Sequence, residues 1–310
     1  MTADEAMRIE DVRRVAIAGA GTMGQQIAFQ CAAHGYDVVL YDIDRDALEA
    51  ALARIDEYAA GLEAAGAIGS DLRAGAKERV SVTADLAEAA REVDILSEAV
   101  PEDPELKGRV LGGFDAACPE RTIFMTNTST LLPSQLASAS GRGDRLLACH
   151  FHLPVWVSNL ADVMPHRGTA PAVTKLVLAF ARRIGQVAIE LQREHNGYLF
   201  NTMYGALNRA AIALAQQGVA SIEDIDRAWM VVTKAPVGPL GALDAVGLGT
   251  AWTITDYWAR QTGDPELLAN AAFLKAYVDR GDLGVKSGRG FYSYPNPAYA
   301  QPGFLQPQDA

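Results

Sequence analysis

Arg14-Val-Ala-Ile-Ala-Gly-Ala-Gly-Thr-Met-Gly24 is the stretch on which the fold turns. Its first five residues form a short apolar run behind a charge, the composition of a strand buried on both faces. Gly19, Gly21 and Gly24, with Thr22 and Met23 between them, then satisfy G-x-G-x-x-G where a helix is predicted to begin, over 24–33. Glycines at those places suit a tight turn, a close backbone approach to a pyrophosphate, and a helix N-terminus that favours anions. Asp37-Val-Val-Leu-Tyr41 reads as a second strand, and strand, helix, strand at this spacing is a parallel crossover unit. The strand is followed at once by Asp42, a carboxylate placed to bind both ribose hydroxyls and to repel a 2′-phosphate. The pattern therefore reads as an NAD site, with Arg45 nearby softening the exclusion of NADP.

Working outward, further strands are predicted at 80–82, 93–96, 122–125, 146–151 and 187–191. Between the second and third, 44–77 is rich in Ala, Leu and Glu and predicts two helices broken near Gly66 to Ser70. Beyond Leu191 the strand signals stop, and helices are predicted at 196–217, 222–233 and 251–261. The chain thus reads as α/β, a Rossmann-type doubly wound, mostly parallel sheet in a dinucleotide-binding domain over 1–193, with an all-helical domain over 194–310. The polar stretch Gln192-Arg-Glu-His-Asn196 marks the boundary. The tail from Tyr294 onward, rich in Pro and Gln, is expected to end in coil.

Of 310 residues, 49% are hydrophobic and 21% charged, which is ordinary for a globular protein and unlike a disordered one. The net charge of -11 repels phosphate backbones and anionic membranes, so nucleic acid and membrane partners are not expected. Cys31, Cys118 and Cys149 are too far apart for a metal knuckle or redox pair, which fits a reducing cytoplasm and no metal. The N-terminal MTADEAMRIEDVRR has no apolar run of the kind an export signal needs.

Oxidising a secondary alcohol by hydride transfer requires a group that takes the hydroxyl proton, and histidine does this at neutral pH. Among five histidines, His150 is the best placed, at the end of the predicted strand 146–151 on the ligand-binding edge of the sheet. His152, two residues on, would share its face if the strand continued, so position alone leaves the two unseparated. A carboxylate on the far ring nitrogen would fix the tautomer. Glu102, beyond Ser97-Glu-Ala-Val-Pro101, sits at the same edge of the sheet, where it reads equally well as a site residue or a solvated loop acid.

Four motifs in order, Gly19-Ala-Gly-Thr-Met-Gly24, Thr126-Asn-Thr-Ser-Thr130, His150-Phe-His-Leu-Pro154 and Lys286-Ser-Gly-Arg-Gly-Phe-Tyr292, resemble the signatures of the L-3-hydroxyacyl-CoA dehydrogenase family across nearly the whole chain. The resemblance implies reversible oxidation of an L-3-hydroxyacyl-CoA with NAD, and a homodimer formed through the helical domain. It further implies His150 as the catalytic base, Asp162 where the family has the glutamate that orients it, Ser129 as a donor to the substrate oxygen, and Asn201 as the substrate-positioning amide. Glu102, Lys107 and Asn127 fall at positions lining the cofactor site.

Three departures bear on the substrate. The family's His-Phe-Phe-Asn-Pro becomes His-Phe-His-Leu-Pro, its glutamate becomes Asp162, shorter by one methylene, and the helical hairpin at Leu62-Glu-Ala-Ala-Gly-Ala-Ile68 lacks lysines for CoA phosphates. Arg54, Arg73 and Lys77 are the cations left near it. A sister group, of the L-gulonate 3-dehydrogenase and lambda-crystallin type, handles small free hydroxy acids, so a free 3-hydroxy acid stands as the alternative substrate. A non-catalytic NAD-binding protein is a further alternative that intact His150, Asp162, Ser129 and Asn201 argue against.

Overall fold

The computed structural model describes residues 7–306. The start of the N-terminal stretch read for an export signal, and the last four residues of the expected coil, lie outside the described residues. The chain divides into two compact units, Met1–Leu199 and Phe200–Ala310, where the sequence reading placed a boundary after 193.

The first unit is built on strands β1 (Arg14–Ala18), β2 (Asp37–Tyr41), β3 (Val80–Thr83), β4 (Ile95–Glu98), β5 (Ile123–Thr126), β6 (Leu146–Phe151), β7 (Leu160–Pro165) and β8 (Val187–Glu190). They form one sheet in the order β3-β2-β1-β4-β5-β6-β7-β8. All neighbours are parallel except β6 and β7. The order reverses between β1 and β4, and the crevice past the carboxyl ends of those two strands is where such sheets bind ligands. Successive residues of β1 face opposite sides. Val15 and Ile17 pack with Ile27 and Phe29 of helix α1 (Thr22–Ala33), whereas Ala16 and Ala18 pack with Leu111 and Phe114 of the helix over 104–117. Both faces are covered, which is why the strand reads as unbroken apolar sequence rather than as alternation.

Helices α2 (Arg45–Ala64) and α3 (Ser70–Glu78) form the hairpin expected over 44–77, with the Asp44 carboxylate capping α2. A short helix α4 (Leu86–Ala90) follows β3. Helix α5 (Pro104–Ala117) has Asp103 at its N-cap and Pro104 at its first position, a strong start signal. Its first turn carries Lys107 into the interior. A single-turn helix α6 (Pro133–Leu136) precedes β6, and α7 (Pro171–Arg183) covers the far end of the sheet.

β7 was not among the predicted strands. Four of its six residues are buried, so no alternation marks it, and Asp162 interrupts its apolar run.

The second unit contains α8 (Phe200–Gln216), α9 (Ile222–Thr233), α10 (Pro239–Val246), α11 (Leu248–Thr262) and α12 (Pro265–Asp279) around Ile212, Ile225, Leu240, Leu243, Leu248 and Leu274. α8 begins four residues later than expected from 196, because Gly197 and Tyr198 hold positive φ values of 82° and 50° and make a turn instead. α10, short and containing Gly241, and α12, whose apolar residues are spread around its circumference, were not predicted. Two buried carboxylates fix this unit. Asp226 accepts from the backbone of Leu240 and Gly241 at the start of α10. Asp244 accepts from the backbone of Phe291 and Tyr292, and from the Tyr294 hydroxyl. The Lys286–Tyr292 motif is therefore wrapped on a buried acid, and a Cβ on Gly290 would meet Asp244 Oδ1 at 2.1 Å. The tail is docked at least as far as Phe304, whose ring lies under the Arg227 guanidinium and whose carbonyl accepts from it.

Candidate active site

The glycine loop leaves β1 at Gly19, whose φ of +111° and close approach to the Ala99 carbonyl, 2.7 Å from a built Cβ, admit no side chain. Gly24 is required by packing, since its Cβ would meet the Gly19 carbonyl at 1.9 Å. Gly21 differs. Nothing lies within 4 Å of a Cβ built there, although it is the N-cap of α1 and offers no side-chain cap to that helix. An open cradle over uncapped helix N–H groups, which a side chain would fill, fits a pyrophosphate. Thr22 and Met23 open α1 beside it. Asp42, just past β2, accepts from the Ala20 N–H at 2.8 Å and the Asp44 N–H at 3.0 Å. It thus holds the glycine loop with its carboxylate at the mouth of the crevice. These residues fit NAD.

At the end of β4 lies a buried ionic knot. The Lys107 ammonium, 1% exposed, donates to Glu98 Oε1 at 2.8 Å and to the Val100 carbonyl at 3.1 Å, and lies 3.3 Å from Glu102 Oε2. Burial pushes the Glu98 carboxyl upward, against the opposing pull of Lys107 and the Thr126 hydroxyl. Lys107 lies beneath the surface and acts through these two acids, not as a lining residue in its own right. Glu102 in turn gathers the loop after β5. Its Oε1 accepts from the Thr128 hydroxyl, from the N–H groups of Ser129 (3.0 Å) and Thr130 (2.9 Å), and from the Thr130 hydroxyl (2.8 Å). Burial would raise its pKa, but the Thr128 hydroxyl, Lys107 and Thr130 together hold it below the usual value, so it stays anionic. Asn127 accepts from the Phe151 N–H at 2.8 Å and ties this loop to the end of β6. The loop's task is visible in Ser129, whose Oγ is 3.1 Å from His150 Nε2.

His150 is the penultimate residue of β6 and pairs in register with Asp162 of β7. The carboxylate stops 3.7 Å from Nδ1, beyond hydrogen-bond length, while its Oδ2 takes His152 Nε2 at 3.0 Å. His152 lies one residue past the strand, so the two histidines left unseparated by sequence both meet the same acid, at different distances. Burial pushes the His150 imidazole down, with Asp162 opposing. The Asp162 carboxyl is pulled below its usual value by the two histidines, which outweigh burial.

Tyr198 was missed by sequence reasoning. Its ring stacks on His150, with centroids 4.6 Å apart at 9°, and its hydroxyl donates to the Thr128 carbonyl at 2.6 Å. Only its place in Asn196-Gly-Tyr-Leu-Phe-Asn201, between the predicted domain boundary and the substrate-positioning amide, could have flagged it. Asn196 Nδ2 donates to the Thr130 carbonyl at 2.6 Å. Within the first unit the structure therefore brings together Ser129, His150 and Asp162, with Glu102, Lys107 and Asn127 supporting them. Asn201 is the second residue of α8, in the second unit.

The α2–α3 hairpin has its own charge pattern. Arg73 contacts Glu63 at 3.0 Å and Asp56 at 3.4 Å, and Lys77 contacts Asp56 at 3.7 Å.

Two family models match this chain: 3-hydroxyacyl-CoA dehydrogenase, NAD binding domain, over 14–195, and 3-hydroxyacyl-CoA dehydrogenase, C-terminal domain, over 197–294. A probable 3-hydroxybutyryl-CoA dehydrogenase of Bacillus subtilis is 32% identical over 284 residues, covering 92% of this chain and 98% of its own. A solved structure of a diketoreductase, described as catalysing on dicarbonyl compounds, superposes with a TM-score of 0.85 at 43% identity, covering 91% of this chain and 99% of its own. The (S)-3-hydroxybutyryl-CoA dehydrogenase of Ralstonia eutropha superposes with a TM-score of 0.83 at 29% identity, covering 92% and 100%.

Proposed function

The chain belongs to the 3-hydroxyacyl-CoA dehydrogenase family, and on that premise we propose that it interconverts an L-3-hydroxyacyl-CoA and the 3-ketoacyl-CoA by hydride transfer with NAD. The observation that carries this reading is the Ser129–His150 contact at 3.1 Å, with Asp162 behind the ring. NAD held by the glycine loop and Asp42 would supply the hydride acceptor for carbon 3. His150 Nε2 receives the hydroxyl proton as the carbonyl forms, and Ser129 donates to the same oxygen. The imidazolium so made is stabilised by the anionic Asp162 at its far side. Because burial depresses the imidazole's pKa, His150 stands neutral at neutral pH and ready to accept. Glu102 keeps Ser129 on station, Tyr198 keeps the ring plane, and Asn201 carries the family's substrate-positioning role.

A second reading concerns the substrate's carrier, and the hairpin favours it. Of the three cations there, Arg73 and Lys77 are directed to Asp56 and Glu63, which reduces the cationic surface offered to the phosphates of CoA and leaves Arg54 exposed. A diketoreductase is also among the similar solved structures, at 43% identity. The alternative is a free 3-keto acid or other small dicarbonyl compound. Paired assays of acetoacetyl-CoA and free acetoacetate with NADH separate the two: a higher kcat/KM for the thioester supports the first, and for the free acid the second.

The assembly proposed is a homodimer through the helical unit, where Met203, Val232, Ile254 and Tyr257 are 66%, 81%, 54% and 55% exposed. Apolar exposure on that scale suits an interface, and sedimentation velocity tests it. A reducing cytoplasm suits the three free cysteines.

A further inference from the structure

Asp162 faces two imidazoles, and the ligand atoms of His150, His152 and Asp162 all lie within 4.8 Å of one another. Oδ2 is 3.0 Å from His152 Nε2 and 3.7 Å from His150 Nδ1. A tetrahedral Zn²⁺ with bonds of about 2.0–2.2 Å holds neighbouring nitrogen and oxygen donors roughly 3.3–3.5 Å apart. The two observed edges bracket that spacing. Two imidazoles and one carboxylate suit Zn²⁺ and similar borderline ions, whereas Ca²⁺ and Mg²⁺ take oxygen ligands.

Protons do not satisfy this cluster fully. His150 Nδ1 and Asp162 Oδ1 are both buried and, among the described residues, neither has a hydrogen-bond partner. Buried polar atoms left so are costly, and a cation held by His150 Nδ1 and the Asp162 carboxylate would engage both side chains at once. The cause is local. Asp162 is too short to reach His150, and His152 supplies a second imidazole on the same carboxylate.

We propose that His150 Nδ1, His152 Nε2 and Asp162 form a binding site for one divalent cation of the Zn²⁺ class, which reversibly arrests turnover. The arrest rests on the reading of His150 as the base. To ligate through Nδ1, the neutral ring must carry its proton on Nε2. That nitrogen then has no lone pair for the substrate's hydroxyl proton, so oxidation stops until the metal leaves. In each ring the N–H proton moves to the nitrogen that does not ligate, the metal exchanges bound water for the two nitrogens and the carboxylate, and no redox change is involved.

Co²⁺ is the probe, because its visible absorption reports four-coordinate nitrogen and oxygen ligation directly on the full-length protein without any turnover. The expected result is one Co²⁺ per chain with that signature in the wild type, lost in His152→Phe. If that variant does not fold, as judged by circular dichroism, His152→Gln serves in its place. In parallel, Zn²⁺ is expected to inhibit NADH formation reversibly, with EDTA restoring the rate. The half-inhibiting concentration should rise by about tenfold or more when His152 is substituted. Absence of Co²⁺ uptake, or uptake and inhibition indifferent to His152, overturns the site while leaving the catalytic reading intact. Uptake that depends on His152 but leaves turnover intact overturns the arrest, while the role of His150 as base stands or falls on substitution of that residue itself.

Discussion

His150 and Asp162 are paired in register across the antiparallel β6–β7 ladder, yet the carboxylate ends 3.7 Å short of the imidazole Nδ1. Directly opposed positions in such a ladder bring Cβ atoms within about 4.5–5.5 Å, so the acid's location is set by sheet register and its reach by side-chain length. A glutamate at this place would extend one methylene further. The charge is retained, the hydrogen bond is not, and the freed oxygen turns to His152.

Asp162→Asn removes the charge that stabilises the imidazolium while preserving shape. Turnover should fall by roughly 10²–10⁴, with NADH affinity within twofold, and Asp162→Glu should keep activity near wild type. Steady-state kinetics with fluorescence titration of NADH decide this. An Asn variant with unchanged kcat would show that the acid has no part in the chemistry.

Ser129 is held by Glu102 and touches His150 at 3.1 Å. Ser129→Ala is expected to reduce kcat by about 10²-fold, as for loss of one donor to a reacting oxygen. KM should change far less, since the donor matters most as charge develops. A loss confined to KM would make Ser129 a binding residue only.

Gly21 and Gly24 lie in one loop but should behave differently. Gly24→Ala forces a Cβ to 1.9 Å from the Gly19 carbonyl, so the melting temperature should drop sharply. Gly21→Ala meets nothing within 4 Å and has an ordinary φ of -71°. It should melt like the wild type and lose NADH affinity by an order of magnitude or more, about 1.4 kcal/mol. Equal melting points for the two variants would contradict the packing described.

Asp244 gives a pH-dependent expectation. Burial raises its folded pKa above the ordinary 3.8, against the pull of the Phe291 and Tyr292 N–H groups and the Tyr294 hydroxyl. The native state therefore binds its proton more tightly than the unfolded chain does. Its contribution to stability is fullest below 3.8 and declines as pH rises through the folded value,. Measured as the gap in melting temperature between wild type and Asp244→Asn, the wild type should gain on the variant as pH falls from neutrality towards that value. A gap that is flat, or that moves the other way, contradicts the assignment.

Much of this architecture was legible in the residues. The Val15–Ala18 run, the glycine loop and Asp42 form a local pattern whose geometry is dictated within one crossover unit, and β6 was bounded at 146–151 as observed. What escaped was non-local. β7 is buried on both faces and carries its one acid inward, so no period marks it. Without β7 there is no register to place Asp162 opposite His150, and that position came only from the family likeness. Tyr198 was hidden for a related reason: a stacking partner lying 48 residues further along the chain leaves no trace in spacing. The inward course of Lys107 likewise depends on the α5 cap and on two acids at the end of β4.

The most direct test is single-turnover oxidation in His150→Asn, with NADH affinity measured on the same sample. Removal of the base should slow hydride transfer by roughly 10³-fold or more and leave NADH affinity within twofold. Hydride transfer within tenfold of the wild-type rate would mean that residue 150 does not carry the proton.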